Sequence, residues 1–185
     1  MRNTFSPQDL DLLRSFIGSQ LSFVAGPDLW EPLSADLIFV VCGERGLELR
    51  GDIFQDSFEG FESDYSKINF SEITQSEVLE ATQRGFRYLI HAGELVTGVA
   101  ILRNQVKHSG KNGNDWDYTS DSGVIFYLSE GALAVTKLGH HDELLQVTYQ
   151  EKIDEALAEL NSHFESDFDD QYEFTRVLVP LSQPD

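Results

Sequence analysis

Cysteine is all but missing: Cys42 is the one thiol in 185 residues, so no disulfide can form within the chain. Cations are scarce too, with 13 Lys and Arg set against 32 Asp and Glu and a formal net charge of −19. Such a chain lacks the clustered bases that neutralise a phosphate backbone, so no nucleic-acid partner is expected. No apolar run approaches the roughly 20 residues of a membrane-spanning helix, and the longest is the six residues 37–42. Residues 1–10 contain no basic segment leading into an apolar one, which reads as no secretory signal; a soluble, cytoplasmic chain with no membrane partner is expected.

Several catalytic signatures are absent as well. There is no Gly-x-Ser-x-Gly nucleophile elbow, no phosphate-binding glycine loop and no His-Glu-x-x-His. A calcium loop of the helix–loop–helix kind starting at Asp115 would need Gly at its sixth position and Glu at its twelfth. Ser120 and Phe126 stand there; starting at Asp167, Tyr172 and Leu178 do. Cys42 ends an apolar run without a diagnostic neighbour and reads as a buried, inert thiol.

What the chain does have is aromatic residues, 13 Phe, 6 Tyr and 2 Trp, which argue against disorder despite the charge. One domain over residues 1–185 is expected from the length. The acids fall mostly in two runs. Residues 52–80 hold eight (Asp52, Asp56, Glu59, Glu62, Asp64, Glu72, Glu77, Glu80) against Lys67. Residues 142–173 hold eleven, from Asp142 and Glu143 to Glu173, against Lys152. Clusters of this kind attract cations and basic surfaces. An acid-rich proteome accounts for high Asp and Glu as well, though it would spread them more evenly.

The local pattern favours strands. Ser6-Pro7-Gln8-Asp9 opens a helix with Leu10, Leu13, Ile17 and Leu21 along one side. The run 37–42 reads as a buried strand and Gly43 to Gly46 as a tight turn. Leu47, Leu49 and Ile53 alternate with Glu48, Arg50 and Asp52, the period of a half-buried strand. A further strand is expected between Phe58 and Phe70. Thr74-Gln75-Ser76-Glu77 is a capping box opening a short helix that Gly85 would stop. Strands follow at 86–91, 96–105, 124–128, 132–138, 144–149 and 174–179, with an amphipathic helix at 151–163 placing Ile153, Ala156, Leu157 and Leu160 on one face. The fold class is therefore α+β, mainly antiparallel sheet with about three short helices. Residues 34–105 and 121–180 each read hairpin, strand, helix, strand at an offset of 87 to 88. Chance likeness and pseudo-duplication both account for this.

His140 and His141, followed by Asp142 and Glu143, are the one concentration of metal-type ligands. Adjacent side chains on a strand diverge, so chelation would need a turn or a third ligand such as His108 or Asp121. The helix at 151–163 is more telling. Glu151, Glu155 and Glu159 are like-charge neighbours one turn apart, each pair costing about 0.2–0.5 kcal/mol. Aromatics thread both acidic runs: Phe54, Phe58, Phe61, Tyr65 and Phe70 in the first, Phe164, Phe168, Tyr172 and Phe174 in the second. Acid for steering and aromatic for contact energy make a protein-binding surface.

In size and charge the chain resembles the immunity proteins that neutralise basic nuclease toxins, and anionic decoys of nucleic-acid-binding clefts. The resemblance is one of composition and covers no motif. It implies a non-enzymatic protein without a cofactor that occludes a basic protein partner through Glu151, Asp154, Glu155, Glu159, Glu165, Asp167, Asp169 and Asp170. Two alternatives remain: a hydrolase or metal-dependent enzyme using His140, His141 and nearby carboxylates, and a structural subunit.

Overall fold

The computed structural model describes residues 2–27, 29, 33–58, 61–82, 86–88, 92–108, 116–139, 143–150 and 172–182. Two short helices occur among them: α1 (Pro7–Arg14) and α2 (Gln75–Ala81). The strands are β1 (Arg2–Asn3), β2 (Leu21–Gly26), β3 (Ser34–Ala35), β4 (Leu37–Cys42), β5 (Arg45–Phe58), β6 (Phe61–Thr74), β7 (Phe86–Tyr88), β8 (Val96–His108), β9 (Trp116–Leu128), β10 (Ala132–Lys137), β11 (Leu145–Gln150) and β12 (Tyr172–Leu181). The class is α+β with sheet predominant. The helix expected at 151–163 and the helix stop at Gly85 lie outside the described residues.

One sheet runs β12-β8-β9-β10-β11-β3, with β1 added parallel to β9; the other runs β6-β5-β4-β2-β7. All other pairings are antiparallel. The sheets share one apolar layer. Leu21, Val24, Ile38, Val40, Leu47 and Leu49 from one sheet meet Val99, Ile101, Val124, Phe126, Leu133 and Val135 from the other, and Leu13 and Phe16 join from α1 and the turn after it. Each large side chain buried here contributes about 1.5–3 kcal/mol over leaving it in water. The alternate residues form smaller clusters on the opposite faces. Phe23, Ala25, Phe39 and Val41 pack against Val78 of α2 on one sheet, and Leu102, Ile125, Ala132 and Ala134 gather on the other.

Both helices begin as their sequences dictate. The Asp9 carboxylate accepts from the Ser6 amide (2.8 Å) while the Ser6 hydroxyl accepts from the Asp9 amide (3.2 Å). Thr74 and Glu77 repeat the exchange at 2.8 and 3.3 Å. The Thr74 hydroxyl also donates to the Glu77 carboxylate at 2.6 Å, and this bond, with the one from the Thr74 amide, holds the Glu77 carboxyl below its usual range.

Three expectations need correction. Leu21 does not continue the first helix: α1 ends at Arg14, Gly18 takes a positive φ of 90°, and Leu21 opens β2, a strand inside the sheet. Only glycine adopts that φ without strain, so the chain turns where the apolar spacing appears to run on. The strand expected at 47–53 runs from Arg45 to Phe58, paired along its whole length with β6. Ile53 is 40% exposed rather than turned into the core.

Candidate functional site

The hairpin of β5 and β6 is the feature that organises the acidic surface. Its 14-residue strands pair from Arg45↔Thr74 to Phe58↔Phe61, whereas the neighbouring β4 follows β5 only as far as Arg50. Beyond Arg50 the hairpin is a two-stranded ribbon that carries Asp52, Asp56, Glu62 and Asp64 of the first acidic run, with Glu72 at its base and Glu77 and Glu80 on α2.

Near the base of the ribbon the acids are matched with cations. Glu72 accepts from Arg45 at 2.5 Å, Glu48 lies 3.5 Å from Arg50, and Asp52 lies 3.9 Å from the Lys67 ammonium. These exposed pairs add about 0–1 kcal/mol each and mainly neutralise the base of the ribbon. Asp56 and Asp64 stand exposed further out. Phe54 and Tyr65 are cross-strand partners with ring centroids 6.0 Å apart, and Tyr65 continues the row to Tyr118 at 5.8 Å. The Lys67 ammonium sits 5.6 Å from the centre of the Phe54 ring, so this aromatic face already receives a cation. Burial pushes the Tyr118 hydroxyl up, against opposing hydrogen bonds from Asn3 and Ser120.

The other face of the ribbon meets the start of the second acidic run. Gly51 and Ile53 on β5 lie opposite Ile68 and Ser66 on β6, so these four share a face. A Cβ at Gly51 would come within 1.7 Å of the Glu143 carbonyl oxygen, so only glycine lets that main chain approach. The Ser66 hydroxyl donates to the Gly139 carbonyl at 2.9 Å. The Ser66 carbonyl accepts from the Lys137 ammonium (2.8 Å) and from the Asn3 side-chain amide (3.0 Å). Residues on both sides of segment 140–142 are thus fastened to the ribbon, and the Leu138 amide donates to the Leu144 carbonyl at 3.0 Å.

Beneath this junction lies a buried charge cluster. Asp121 is 1% exposed and takes a bidentate pair from Arg103 (2.7 and 3.1 Å) together with the Phe5 amide (2.8 Å). A β-bulge puts it there: Leu102 pairs with Gly123 and Arg103 with Asp121, leaving Ser122 as the extra residue. A bulge re-aims the side chains that follow it. The hydrogen bond and charge of Asp121 raise the Arg103 guanidinium above its ordinary value, against partial desolvation. Lys137 is 2% exposed; burial pushes its ammonium down to about 8, and the Asp121 charge only partly offsets this.

Asp121 is therefore unsuited to complete a metal site with the paired histidines, because its oxygens are occupied by Arg103 and Phe5. His108 pairs opposite Trp116, five positions along β9 from Asp121, roughly 17 Å at the rise of a strand. Among the described residues no group of three or more His, Cys, Asp or Glu could hold a metal ion. Burial pushes the Cys42 thiol up to about 12, which leaves it inert at neutral pH.

His140 and His141 lie outside the described residues. So do all eight carboxylates read as partner-binding: Glu151, Asp154, Glu155, Glu159, Glu165, Asp167, Asp169 and Asp170. Among the described residues no helix is long and apolar enough to cross a membrane. Sequence reasoning missed Gly51, Ser66 and Lys137. The one available signal was a glycine inside an alternating strand, which marks close approach by another backbone. No protein-family model, no curated protein and no solved structure matches this chain, so its functional reading rests on the residues themselves.

Proposed function

We propose that this chain is a non-enzymatic acidic binding protein that engages a basic protein partner. The observation that carries the reading is the meeting of the two acidic runs: Glu143, near the start of the second, has its carbonyl against Gly51, next to Asp52 of the first. The same reading assigns the eight carboxylates Glu151, Asp154, Glu155, Glu159, Glu165, Asp167, Asp169 and Asp170, which follow Glu143 in the second acidic run, to the partner-binding set. Carboxylates pair with Lys and Arg of the partner, and aromatics such as Phe54 and Tyr65 supply contact area.

The pseudo-duplication belongs to the same reading. Strand orders β6-β5-β4-β2-β7 and β11-β10-β9-β8-β12 correspond member for member, with antiparallel neighbours throughout. In the first unit α2 connects β6 to β7 and covers Phe39 and Val41. In the second, the helix expected at 151–163 falls, in chain order, between β11 and β12. On this correspondence the units run from β2 to β7 and from β8 to β12, so β8 belongs to the second unit, whereas the boundaries 34–105 and 121–180 read from the sequence put most of its residues in the first.

The test is titration of basic proteins, lysozyme and a histone among them, by calorimetry at low and high ionic strength. Binding that weakens steeply with salt is expected. Absence of binding at low salt, or affinity indifferent to salt, would overturn the reading.

A further inference from the structure

Strand alternation gives the ribbon two faces. Gly51, Ile53, Ser66 and Ile68 share one; Asp52, Phe54 and Asp56 on β5 share the other with Tyr65 and Lys67 on β6. On this second face the side chains touch directly. The Phe54 and Tyr65 rings lie 6.0 Å apart and tilted by 38°, and Tyr65 and Tyr118 lie 5.8 Å apart and tilted by 32°. Phe54 and Tyr65 are half-buried, Tyr118 is buried, and Asp52 and Asp56 are exposed. The protein's own Lys67 shows what such a surface takes. Its ammonium stands 5.6 Å from the centre of the Phe54 ring and 3.9 Å from Asp52 Oδ2, an oxygen that also accepts from the Asn69 side-chain amide at 3.3 Å. Ring and carboxylate both attract the cation, one through its quadrupole and the other through its charge. The ion pair is long and more than a third exposed on both sides, so it holds weakly and yields to a competitor.

The same pair of elements recurs one step toward the tip, where Asp56 is the diagonal cross-strand neighbour of Tyr65. We infer that Asp52, Phe54, Tyr65 and Asp56 form a subsite for a lysine or arginine side chain of the basic partner, and that Lys67 is its occupant in the unbound protein. This rests on the proposed function and gives it a location and a recognition chemistry. The face is open: its rings are only half-buried and its carboxylates exposed. A free small cation would keep most of its water there and gain little, whereas a side chain delivered by a larger partner is held in place by that partner's other contacts. The chain's charge of −19 disfavours a second copy as the source of the cation. On docking, the incoming cation takes over ring and carboxylate while the Lys67 ammonium returns to water.

The probe is a dye-labelled ten-residue alternating Lys-Ser peptide, its binding read by fluorescence polarisation at low salt. The Phe54→Leu/Tyr65→Leu double variant keeps apolar bulk and charge but removes both ring faces. Binding about fivefold weaker is expected, with the dependence of affinity on salt unchanged. Lys67→Met vacates the subsite and is expected to tighten binding about threefold. Arg14→Met removes the same charge from α1, where Arg14 pairs with Asp11, and should tighten it by less than about 1.5-fold. Thermal melts identify any variant that fails to fold, and Phe54→Leu alone, on the outer part of the ribbon, then carries the ring comparison. Parental affinity in the folded ring variants, or equal effects of Lys67→Met and Arg14→Met, overturns the inference while leaving the basic-partner reading intact. Failure of the peptide to bind the parent overturns that reading and the inference with it. Spermine binding as tightly as the peptide identifies a free polyamine as the occupant and overturns the inference. A change in oligomeric state of Lys67→Met by light scattering identifies a second copy and does the same.

Discussion

Gly51 and Lys137 show how single residues set the junction between ribbon and turn. Gly51→Ala would drive a methyl group into the Glu143 main chain, which cannot swing aside as a side-chain tip can. The expected cost is about 2–3 kcal/mol, measured as a lowered urea midpoint, with greater protease sensitivity near residue 143. Lys137 makes a different prediction. Its pKa in the fold is lowered by burial to about 8 from 10.5, so between those values the unfolded chain binds more protons and folding stability rises with pH. Below pH 8 the fold bears the full cost of a buried ammonium, on the order of 3 kcal/mol. Lys137→Met removes that cost, while the Ser66 carbonyl keeps Asn3 and Asp121 keeps Arg103. The variant is expected to be at least as stable as the parent at pH 7. The parent should gain on it between pH 8 and 10.5 in parallel urea titrations, and parallel curves across that range would refute a depressed Lys137.

At the scale of elements, legibility followed where the hydrogen-bonding and packing information was local. The Ser6 and Thr74 capping boxes each lie within four residues, and both open the helices expected of them. The run 37–42 is buried almost throughout and was legible as a strand. Leu21 was misread because its spacing from Ile17 suits a helix, whereas Gly18 interrupts the backbone between them. The outer lengths of β5, β6, β8 and β9 were illegible for another reason. Pairing there comes from the partner strand across the hairpin, and exposed positions such as Asp52, Gln55, Asp56 and Asp117 need no apolar alternation. Of the candidate site, the acid–aromatic ribbon was legible in composition, but its contact with Glu143 spans ninety-odd residues and leaves no local trace beyond Gly51.

The bulge in β9 carries the element-scale prediction. Ser122 is the extra residue that turns Asp121 inward, where it holds Arg103 of β8 and the Phe5 amide just after β1. Asp121→Asn keeps one acceptor for Phe5 but strands the Arg103 charge, which is about a quarter exposed and so retains some hydration. A loss of about 2–3 kcal/mol is expected, less than for a wholly buried pair. Adding Arg103→Met should recover the part due to the guanidinium left without its carboxylate, while Lys137 still lacks the Asp121 charge that partly offset its burial. Equal losses in the single and double variants, by urea unfolding, would show that the pair is not the source.

At the scale of the whole molecule, the same charge acts in opposite senses on folding and on binding. Many described cations are already committed locally: Arg14 to Asp11, Arg45 to Glu72, Lys67 to Asp52 and Arg103 to Asp121. The remaining acid excess repels itself within a compact fold. Screening length falls from about 30 Å at 0.01 M salt to about 3 Å at 1 M, so added salt relieves that repulsion. The melting temperature is therefore expected to rise between low and high sodium chloride, by about 2–4 °C for each kcal/mol of repulsion removed in a chain of this length. Choline chloride at equal ionic strength should act the same way, since screening does not depend on a bound cation; a rise specific to one cation would point to an ion site instead. Affinity for a basic partner should fall over the same range, because screening weakens attraction between molecules as it weakens repulsion within one. Tighter folding with weaker binding, measured on one salt series, separates electrostatic docking from loss of binding through unfolding, which would lower both together.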